Sequence, residues 1–373
     1  MKAKILLFAN TDWYLYNFRL PLAKALRNDG YEVVFVSPPG PYSEKLANAG
    51  FRWISQPFSR RGINPFRELI TLIRLVRLYR YEKPSMVGHY TIKCVLYGSL
   101  AAHISGIKSI LNSITGLGYV FISSEFRARF IRFFVKGLYP FILRNTHIIF
   151  QNPDDVALFL KYGLIRSDQY TLIKGSGADT TRLIPTQKPA GNPLIVLPGR
   201  MLFSKGVGEF VRAAQILCDN GIKARFALVG DTDLANPDAV PVKQLEGWVA
   251  EGVVEWWGWQ DDIASIYSQA HIVCLPSYRE GLPKALIEAA ASGCPIVATD
   301  APGCRDVVRH GENGLLVPIR DAGALADALE ILIKDPNLCK KMGLRGREIV
   351  EAEYSETLII SETMKIFNQL IIK

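Results

Sequence analysis

Cysteine is scarce in this 373-residue chain, and its few cysteines are not spaced like metal ligands. Metal-binding motifs place pairs of ligands a few residues apart, so the spacing predicts no cysteine metal site. Cys274 and Cys294 lie beside apolar runs, where they are best explained as small buried hydrophobic residues. The six cysteines are Cys94, Cys218, Cys274, Cys294, Cys304 and Cys339.

The sequence also lacks long polar tracts, and its first residues do not have the pattern of a signal peptide. Because 49% of the residues are hydrophobic, extensive disorder is not expected. The apolar run from Ile5 to Ala9 is too short for a signal peptide, and polar residues follow it at once. We therefore expect a cytoplasmic protein with two domains, each able to bury its own core.

Acidic residues are few in the first half of the chain. Residues 1–185 contain 25 Lys and Arg against 11 Asp and Glu, a net charge of +14, which leaves −5 for residues 186–373 out of a total of +9. The basic half predicts contact with an anionic acceptor or surface. Nucleic acid fits the sign of this charge, but no nucleic-acid-binding module accompanies it.

Strand-like apolar runs alternate with helical patterns along the whole chain. This alternation predicts an α/β protein with doubly wound parallel sheets that helices cover on both faces. Residues 178–193 are rich in proline and polar residues, so we place the linker there and divide the chain into 1–185, 186–354 and a closing helix at 355–373. The predicted strands are Lys4–Asn10, Glu32–Pro38, Ser85–Tyr90, Ser109–Ile114, His147–Asn152, Leu194–Pro198, Arg225–Gly230, His271–Ser277, Pro295–Asp300 and Leu315–Ile319.

Two glutamates flank the start of a predicted helix that follows the apolar run His271 to Leu275. Glu280 lies in the loop, whereas Glu288 lies about five residues into the helix, roughly 7.5 Å along its axis. Free N–H groups and the positive end of the helix dipole favour a diphosphate at this point. The spacing therefore predicts a nucleotide-sugar site in which one carboxylate binds sugar hydroxyls and the other binds ribose hydroxyls.

Two cations follow another predicted strand. Arg200 comes just after the apolar run Leu194 to Pro198, and Lys205 follows in the same loop. At the carboxyl end of a parallel strand, these cations would neutralise a pyrophosphate leaving group. Taken singly, each charged residue is equally well explained as a solvated surface residue. The four together, each near a strand end, favour the site.

These motifs make the chain resemble the retaining glycosyltransferases of family 4, whose GT-B fold has two Rossmann-like domains facing a cleft. The resemblance covers nearly the whole chain and includes a bacterial branch that extends undecaprenyl-pyrophosphate-linked glycans. It implies an acceptor-binding first domain, a nucleotide-sugar-binding second domain and a last helix that crosses back. The matching segments are residues 59–65, 89–93, 115–119, 150–153, 199–206, 229–231, 257–262, 280–288, 292–299 and 311–317.

The resemblance implies roles for individual residues. Arg200 and Lys205 would hold the donor diphosphate, Glu280 the donor sugar and Glu288 the ribose. The family implies front-face attack by the acceptor hydroxyl without a protein nucleophile, a metal or a cofactor, so the triplet Asp231 to Asp233 is interpreted as loop capping. Further donor-site candidates are Gly199, Gly281, Leu282 and Trp259.

Two segments depart from the family pattern. Asn10 to Tyr14 contain no glycine where many members have a glycine-rich loop, so we expect no close backbone approach to phosphate there. Thr115 replaces a histidine that would face the sugar in many relatives. His89 ends a predicted strand and would orient the donor or acceptor at the cleft, or else it is structural. The candidates for the acceptor side are Arg60, Arg61, His89, Thr115 and Gly116.

A basic and apolar segment, residues 119–144, contains only one acid, Glu125. Its cations interrupt every window of the roughly 20 apolar residues that a membrane crossing needs. The segment either lies in a membrane interface with its cations at lipid phosphates or forms a core helix with a solvated basic face, and the uneven charge favours the membrane. The predicted membrane contacts are Arg127, Arg129, Arg132 and Lys136.

Taken together, these features predict a retaining, metal-independent enzyme of surface-polysaccharide synthesis, peripheral on the inner face of the cell membrane. It would move a hexose or N-acetylhexosamine from a UDP-sugar to a glycan on a polyprenyl pyrophosphate. One alternative is a transferase with a soluble or diacylglycerol acceptor. Another is a protein that binds nucleotide sugars without turnover, which the complete set of four charged residues disfavours.

Overall fold

The computed structural model describes residues 3–58, 64–116, 137–234 and 236–372 of the chain. It divides into two compact units, which are described separately. Unit 1 comprises Met1–Ser176 together with Leu358–Lys373, and unit 2 comprises Gly177–Thr357. The boundary on the chain therefore falls before the predicted division at residue 185, and the return to unit 1 falls after residue 357.

Unit 1 is built on a seven-stranded parallel sheet with the order β3-β2-β1-β4-β5-β6-β7. Its central strands are buried along their length, as parallel strands covered on both faces must be. The strands are β1 Lys4–Phe8, β2 Glu32–Ser37, β3 Arg52–Ser55, β4 Met86–Tyr90, β5 Ser109–Ile114, β6 His147–Phe150 and β7 Tyr170–Leu172. The helices with defined bounds are α1 Asp12–Asn28, α2 Ser43–Asn48, α3 Pro65–Glu82, α4 Ile92–Ile104 and α5 Pro153–Lys161.

Unit 2 repeats this plan with six parallel strands in the order β10-β9-β8-β11-β12-β13. The strands are β8 Leu194–Pro198, β9 Arg225–Val229, β10 Glu255–Gly258, β11 Ile272–Leu275, β12 Ile296–Thr299 and β13 Gly314–Val317. The helices are α6 Val207–Asp219, α7 Val242–Ala250, α8 Ile263–Gln269, α9 Lys284–Ala291, α10 Cys304–Val307, α11 Ala322–Lys334 and α12 Pro336–Glu353, and a 3₁₀ turn spans Phe203–Lys205. Two separate apolar clusters lie on the two faces of the sheet.

The last helix, α13, spans Glu356–Ile372 and packs its apolar face into the core of unit 1. Phe367 is fully buried there. The Tyr31 hydroxyl donates to Asn368 Oδ1 at 2.7 Å, and the Ser109 hydroxyl donates to the Leu370 carbonyl at 2.7 Å. The helix thus covers the α1 side of the unit 1 sheet. The prediction of two doubly wound parallel α/β units is confirmed.

The predicted linker at residues 178–193 is not a free connector but part of unit 2. Ala178 and Leu183 are buried in its core. The Arg347 guanidinium donates to the Thr180 carbonyl at 2.8 Å and also binds the Leu183 carbonyl. The polar composition therefore reflects a segment whose backbone is held by a distant arginine. Among the described residues, no helix is both long and apolar enough to cross a membrane.

Candidate functional site

The candidate donor site lies where the strand order of the unit 2 sheet reverses. Strand β8 pairs with β9 on one side and with β11 on the other. Helices that follow the two halves of such a sheet cover opposite faces, so a crevice opens between the loops after the two central strands. The loop after β8 carries Gly199, Arg200 and Lys205, and the loop after β11 carries Glu280.

The structure brings two of the predicted site residues into direct contact. Lys205 Nζ forms an ion pair with Glu280 Oε1, and both side chains are largely buried. An ammonium has three donors, so Lys205 retains donors for a phosphate oxygen while it holds the carboxylate. Two oppositely charged groups at one point suit a donor that presents an anionic diphosphate next to neutral hydroxyls.

The backbone of Glu280 is fixed by the loop after β12. Glu280 N–H donates to the Pro302 carbonyl at 3.0 Å. Gly303 has φ of +84°, and a Cβ at this position would lie only 2.7 Å from the Glu280 carbonyl oxygen. Only glycine allows both the conformation and the close approach. Sequence reasoning missed Gly303, because its requirement depends on a contact with a distant loop.

Glu288 projects from the second turn of α9, and the nearby Lys284 partly compensates its negative charge. Its Oε1 lies 3.6 Å from Lys284 Nζ, and its side chain is 17% exposed. Burial raises the pKa of the Glu288 carboxyl above its usual range, and the nearby Lys284 opposes this shift. A carboxylate in this environment is poorly hydrated, so hydrogen bonds from the hydroxyl groups of a ligand would stabilise its charge. Lys284 was not singled out from the sequence.

Arg200 contacts an acid rather than standing alone. Its Nη1 lies 3.3 Å from Asp233 Oδ2, and its side chain is about half exposed, at 53%. Asp231 accepts a hydrogen bond from the Trp259 N–H at 3.0 Å. The Asp231 side chain thus binds the backbone of a loop, as the capping interpretation expects, whereas Asp233 pairs with a cation. The exposed ring of Trp259 flanks this edge of the sheet.

A tyrosine links the loops after β8 and β11. Tyr278 N–H donates to the Ser204 carbonyl at 2.9 Å, and the Tyr278 hydroxyl donates to Glu209 Oε1 at 2.6 Å. The Arg320 guanidinium lies over the Tyr278 ring, 4.6 Å from its centroid. Burial raises the pKa of Tyr278 to about 12, so the phenol stays protonated and remains the donor. This network holds Lys205 and Glu280 in register, and sequence reasoning missed it.

The glycines and the apolar residue of the predicted set are placed close to this crevice. Gly199 has φ of +153°, and its carbonyl packs directly against the Cα of Gly230. Gly281 and Leu282 are buried in the loop that leads into α9. No side chain caps the start of α9, and the positive end of the helix dipole favours an anion there.

The predicted acceptor residues of unit 1 have different environments. His89 is fully buried, with Nδ1 at 2.9 Å from Asn112 Oδ1 and Nε2 at 3.0 Å from the Tyr79 hydroxyl. Burial lowers the pKa of His89 to about 4, so the ring is neutral, donates through Nδ1 and accepts at Nε2. This geometry matches the structural alternative for His89 and offers no surface to a ligand. Thr115 and Gly116 are partly exposed just after β5.

Several predicted residues lie outside the part of the chain that the structure describes. These are the acceptor candidates Arg60 and Arg61 and the membrane candidates Arg127, Arg129, Arg132 and Lys136. The described residues contain no cluster of three or more His, Cys, Asp or Glu side chains arranged to hold a metal. Independence from metal remains a prediction.

Two family models match the chain. One, described as glycosyl transferase 4-like, matches residues 4–152, and the other, described as glycosyl transferases group 1, matches residues 192–335. The first lies within unit 1, and the second lies within unit 2 and contains all four charged residues of the candidate site.

Two similar proteins span most of the chain. A Campylobacter jejuni protein named N,N'-diacetylbacillosaminyl-diphospho-undecaprenol alpha-1,3-N-acetylgalactosaminyltransferase is 28% identical, and the match covers 96% of each chain. An Escherichia coli protein named UDP-Gal:alpha-D-GlcNAc-diphosphoundecaprenol alpha-1,3-galactosyltransferase is 23% identical over 87% of this chain and 88% of its own.

Solved structures show the same fold. Sucrose-phosphate synthase from Thermosynechococcus elongatus matches with a TM-score of 0.81 and 24% identity over the whole of both chains. Anabaena HepE, solved in complex with UDP and glucose, matches with a TM-score of 0.80 and 19% identity over 98% of this chain and 100% of its own.

Proposed function

Because the chain belongs to the family 4 glycosyltransferases of GT-B fold, we propose that it transfers a hexose or N-acetylhexosamine from a UDP-sugar to a glycan on a polyprenyl pyrophosphate. The single observation that carries the proposal is the contact between Lys205 and Glu280 at the reversal point of the unit 2 sheet. In this proposal Lys205 would bind a donor phosphate while the adjacent Glu280 would accept hydrogen bonds from sugar hydroxyls. The names of the C. jejuni and E. coli relatives support the lipid-linked acceptor.

The donor is proposed to lie along the crevice with its diphosphate near Lys205 and the start of α9. Lys205, Arg200 and the backbone N–H groups would stabilise the charge that develops on the departing UDP. Glu280 would bind sugar hydroxyls, and Glu288 would bind the ribose. The UDP and glucose bound to Anabaena HepE support a uridine nucleotide as the carrier.

The transfer is proposed to retain the configuration of the sugar and to need no metal. In this mechanism the acceptor hydroxyl attacks the face that UDP leaves, and a donor phosphate oxygen takes its proton. The chain's own residues then bind, orient and stabilise charge rather than form a covalent bond. The family resemblance supports this mechanism.

The enzyme is proposed to work at the inner face of the cell membrane, where a lipid-linked acceptor would be presented. The excess of positive charge in residues 1–185 supports contact with anionic lipid or with the acceptor pyrophosphate. A surface-polysaccharide pathway fits relatives such as the capsular polysaccharide protein of Staphylococcus aureus, which is 25% identical over 92% of this chain.

A donor panel tests the proposal. Purified protein is incubated with UDP-glucose, UDP-galactose, UDP-N-acetylglucosamine or UDP-N-acetylgalactosamine. The acceptor is a short-chain polyprenyl-pyrophosphate sugar or, in parallel reactions, a soluble sugar or diacylglycerol. Mass spectrometry of the lipid product and release of UDP are then measured with and without acceptor. We expect one donor to extend the lipid-linked sugar by one residue. UDP release only in the presence of a soluble sugar or diacylglycerol, or tight UDP binding with no turnover, would favour one of the alternatives.

A further inference from the structure

Helix α3 of unit 1 exposes a stripe of large apolar side chains. Phe66 is 80% exposed, Leu69 55%, Ile70 47% and Ile73 41%. These positions recur at intervals of three and four, so they lie on one side of the first turns of the helix. The opposite side, including Leu75, packs on the sheet. An exposed apolar stripe of this size marks a contact surface.

The second half of the same helix exposes arginines. Arg74, Arg77 and Arg80 follow the apolar stripe at intervals of three and are all exposed. The outward side of α3 is therefore divided along its length, with apolar residues near the start and guanidinium groups near the end. We call the outward-facing set Phe66, Leu69, Ile70, Ile73, Arg74, Arg77 and Arg80 the α3 surface.

The carboxylates of α3 do not offset these charges on the surface. Glu68 turns inward and pairs with Lys93 at 2.6 Å. Glu82 also turns inward, and its Oε1 lies 2.6 Å from Arg52. Since the structure describes all of α3, its outward side carries cations and no carboxylate. Such a side complements a surface rich in phosphate.

Two further exposed apolar residues of unit 1 are connected to α3 through α4. Arg80 donates to the carbonyl of Ile104, which ends α4 and is 46% exposed. His103 Nε2 lies 3.0 Å from the carbonyl of Ile142, and the adjacent Phe141 is 77% exposed. Ile104 thus lies beside the arginine end of α3, and Phe141 belongs to a segment that contacts α4.

We propose that the α3 surface docks on an anionic lipid bilayer, with the apolar first half in the interface and the arginines at the lipid phosphates. This inference deepens the proposed function by naming the contact that brings the enzyme to its lipid-linked acceptor. The α3 surface lies outside the predicted membrane segment at 119–144. A symmetric contact with a second copy would give the arginines no anionic partner, because the outward side of α3 carries no carboxylate, and nucleic acid would leave the apolar half uncovered.

Vesicle sedimentation tests the proposal with the full-length chain. Binding is measured to vesicles of phosphatidylcholine alone and of phosphatidylcholine with about one-third phosphatidylglycerol. Arg74→Gln/Arg77→Gln removes two charges, and Ile70→Ser/Ile73→Ser removes two apolar groups. The matched controls in unit 2 are Lys340→Gln/Lys341→Gln for charge and Ile331→Ser/Leu344→Ser for exposed apolar residues.

We expect the two-arginine variant to bind anionic vesicles about thirtyfold less tightly, since each basic residue contributes about 1 kcal/mol near such a surface. The two-isoleucine variant should bind at least about tenfold less tightly. Both unit 2 controls should bind like the wild type. Wild-type protein that fails to sediment with anionic vesicles, or test variants that bind as tightly as their controls, would overturn the proposal.

A fluorescent probe checks which element enters the interface. Cys218 is exposed, so the label is placed at Ile70→Cys in a Cys218→Ser background, with Leu344→Cys as control. We expect a blue shift on anionic vesicles at position 70 only. A dimer that the α3 variants abolish, without a vesicle-induced shift, would instead identify a second copy as the occupant.

The proposed function is tested separately with a short-chain acceptor in the absence of membranes. Both α3 variants should retain wild-type transfer to this acceptor and a wild-type thermal unfolding curve, because the substituted side chains are exposed. If the wild type binds vesicles through α3 but transfers no sugar, the function fails and the docking surface stands. If transfer is normal but the α3 variants bind vesicles as tightly as the wild type, the proposed function stands and the docking surface fails.

Discussion

Replacing Gly303 with alanine is expected to displace Glu280 and slow sugar transfer far more than it weakens UDP binding. The new Cβ would lie 2.7 Å from the Glu280 carbonyl oxygen and 2.8 Å from its carbonyl carbon, whereas ordinary contacts begin at 3.4 Å. Relief requires a shift of about 0.7 Å in one of the two loops. A misplacement of about 1 Å in an active site can cost a factor of about 100 in rate.

The backbone cost of the substitution must be separated from the displacement of Glu280. Gly303 has φ of +84° and ψ of −45°, a sparsely populated conformation that costs an alanine about 1–3 kcal/mol. Gly311 has φ of +80°, and a Cβ added there would meet no atom within 4 Å, so Gly311→Ala carries positive-φ strain without the clash. Both variants should therefore lose some thermal stability, and only Gly303→Ala should lose transfer.

The assay compares initial rates with the preferred UDP-sugar and UDP affinity by calorimetry. We expect the transfer rate of Gly303→Ala to fall between about tenfold and a hundredfold, with a smaller change in UDP affinity, because Glu288 and Lys284 lie on the helix beyond the shifted loop. A wild-type rate in Gly303→Ala, or an equal loss in Gly311→Ala, would refute the argument that this glycine positions Glu280.

The remaining predictions concern the charged residues of the candidate site and its independence from metal. Arg200→Ala and Lys205→Ala should each slow transfer without unfolding the protein. Removing one group that stabilises the developing charge typically raises the activation barrier by about 3–4 kcal/mol. Wild-type rates of UDP release in these variants would contradict this prediction. Glu288→Gln should weaken UDP binding by calorimetry, whereas Glu280→Gln should impair only transfer. Because burial raises the pKa of Glu288, UDP affinity should fall as the pH drops through that raised value, and Glu288→Gln should remove this dependence. Folding stability should depend on pH in the opposite direction. Because the pKa of Glu288 is higher in the folded state than in the unfolded state, stability is lost as the pH rises through the folded-state pKa. Glu288→Gln should therefore be at least as stable as the wild type in thermal melts at neutral pH. Excess EDTA should leave most activity in place, and rescue of lost activity by Mg²⁺ would contradict independence from metal.

Hydrophobic pattern located the interior strands of both sheets but missed strands at their edges. Strands β3 and β7 form the two edges of the unit 1 sheet, and β10 forms one edge of the unit 2 sheet. Their residues are mostly exposed or half-buried. An edge strand is paired and packed on fewer sides, so it needs no continuous apolar run and leaves no strong signal.

Composition also misjudged the segment between the two sets of strands. Prolines and polar residues in residues 178–193 indicate turns, and turns are common in linkers. The segment nevertheless belongs to unit 2, where Arg347 on α12 donates to the carbonyl groups of Thr180 and Leu183. A carbonyl acceptor is present in every residue, so no local pattern shows which side chain will bind it.

Motif spacing selected Lys205 and Glu280 as donor-site candidates but did not predict that they pair with each other. Lys205 and Glu280 were assigned separately, to the diphosphate and to the sugar, yet their side chains contact each other. The contact depends on β8 and β11 being neighbours, which follows from the order of strands in the sheet and not from either motif. A substitution of Lys205 would therefore remove the proposed phosphate ligand and also leave a largely buried carboxylate without its cation. Since leaving a buried charge unpaired carries its own cost, the loss measured in Lys205→Ala will exceed the contribution of Lys205 to phosphate binding alone.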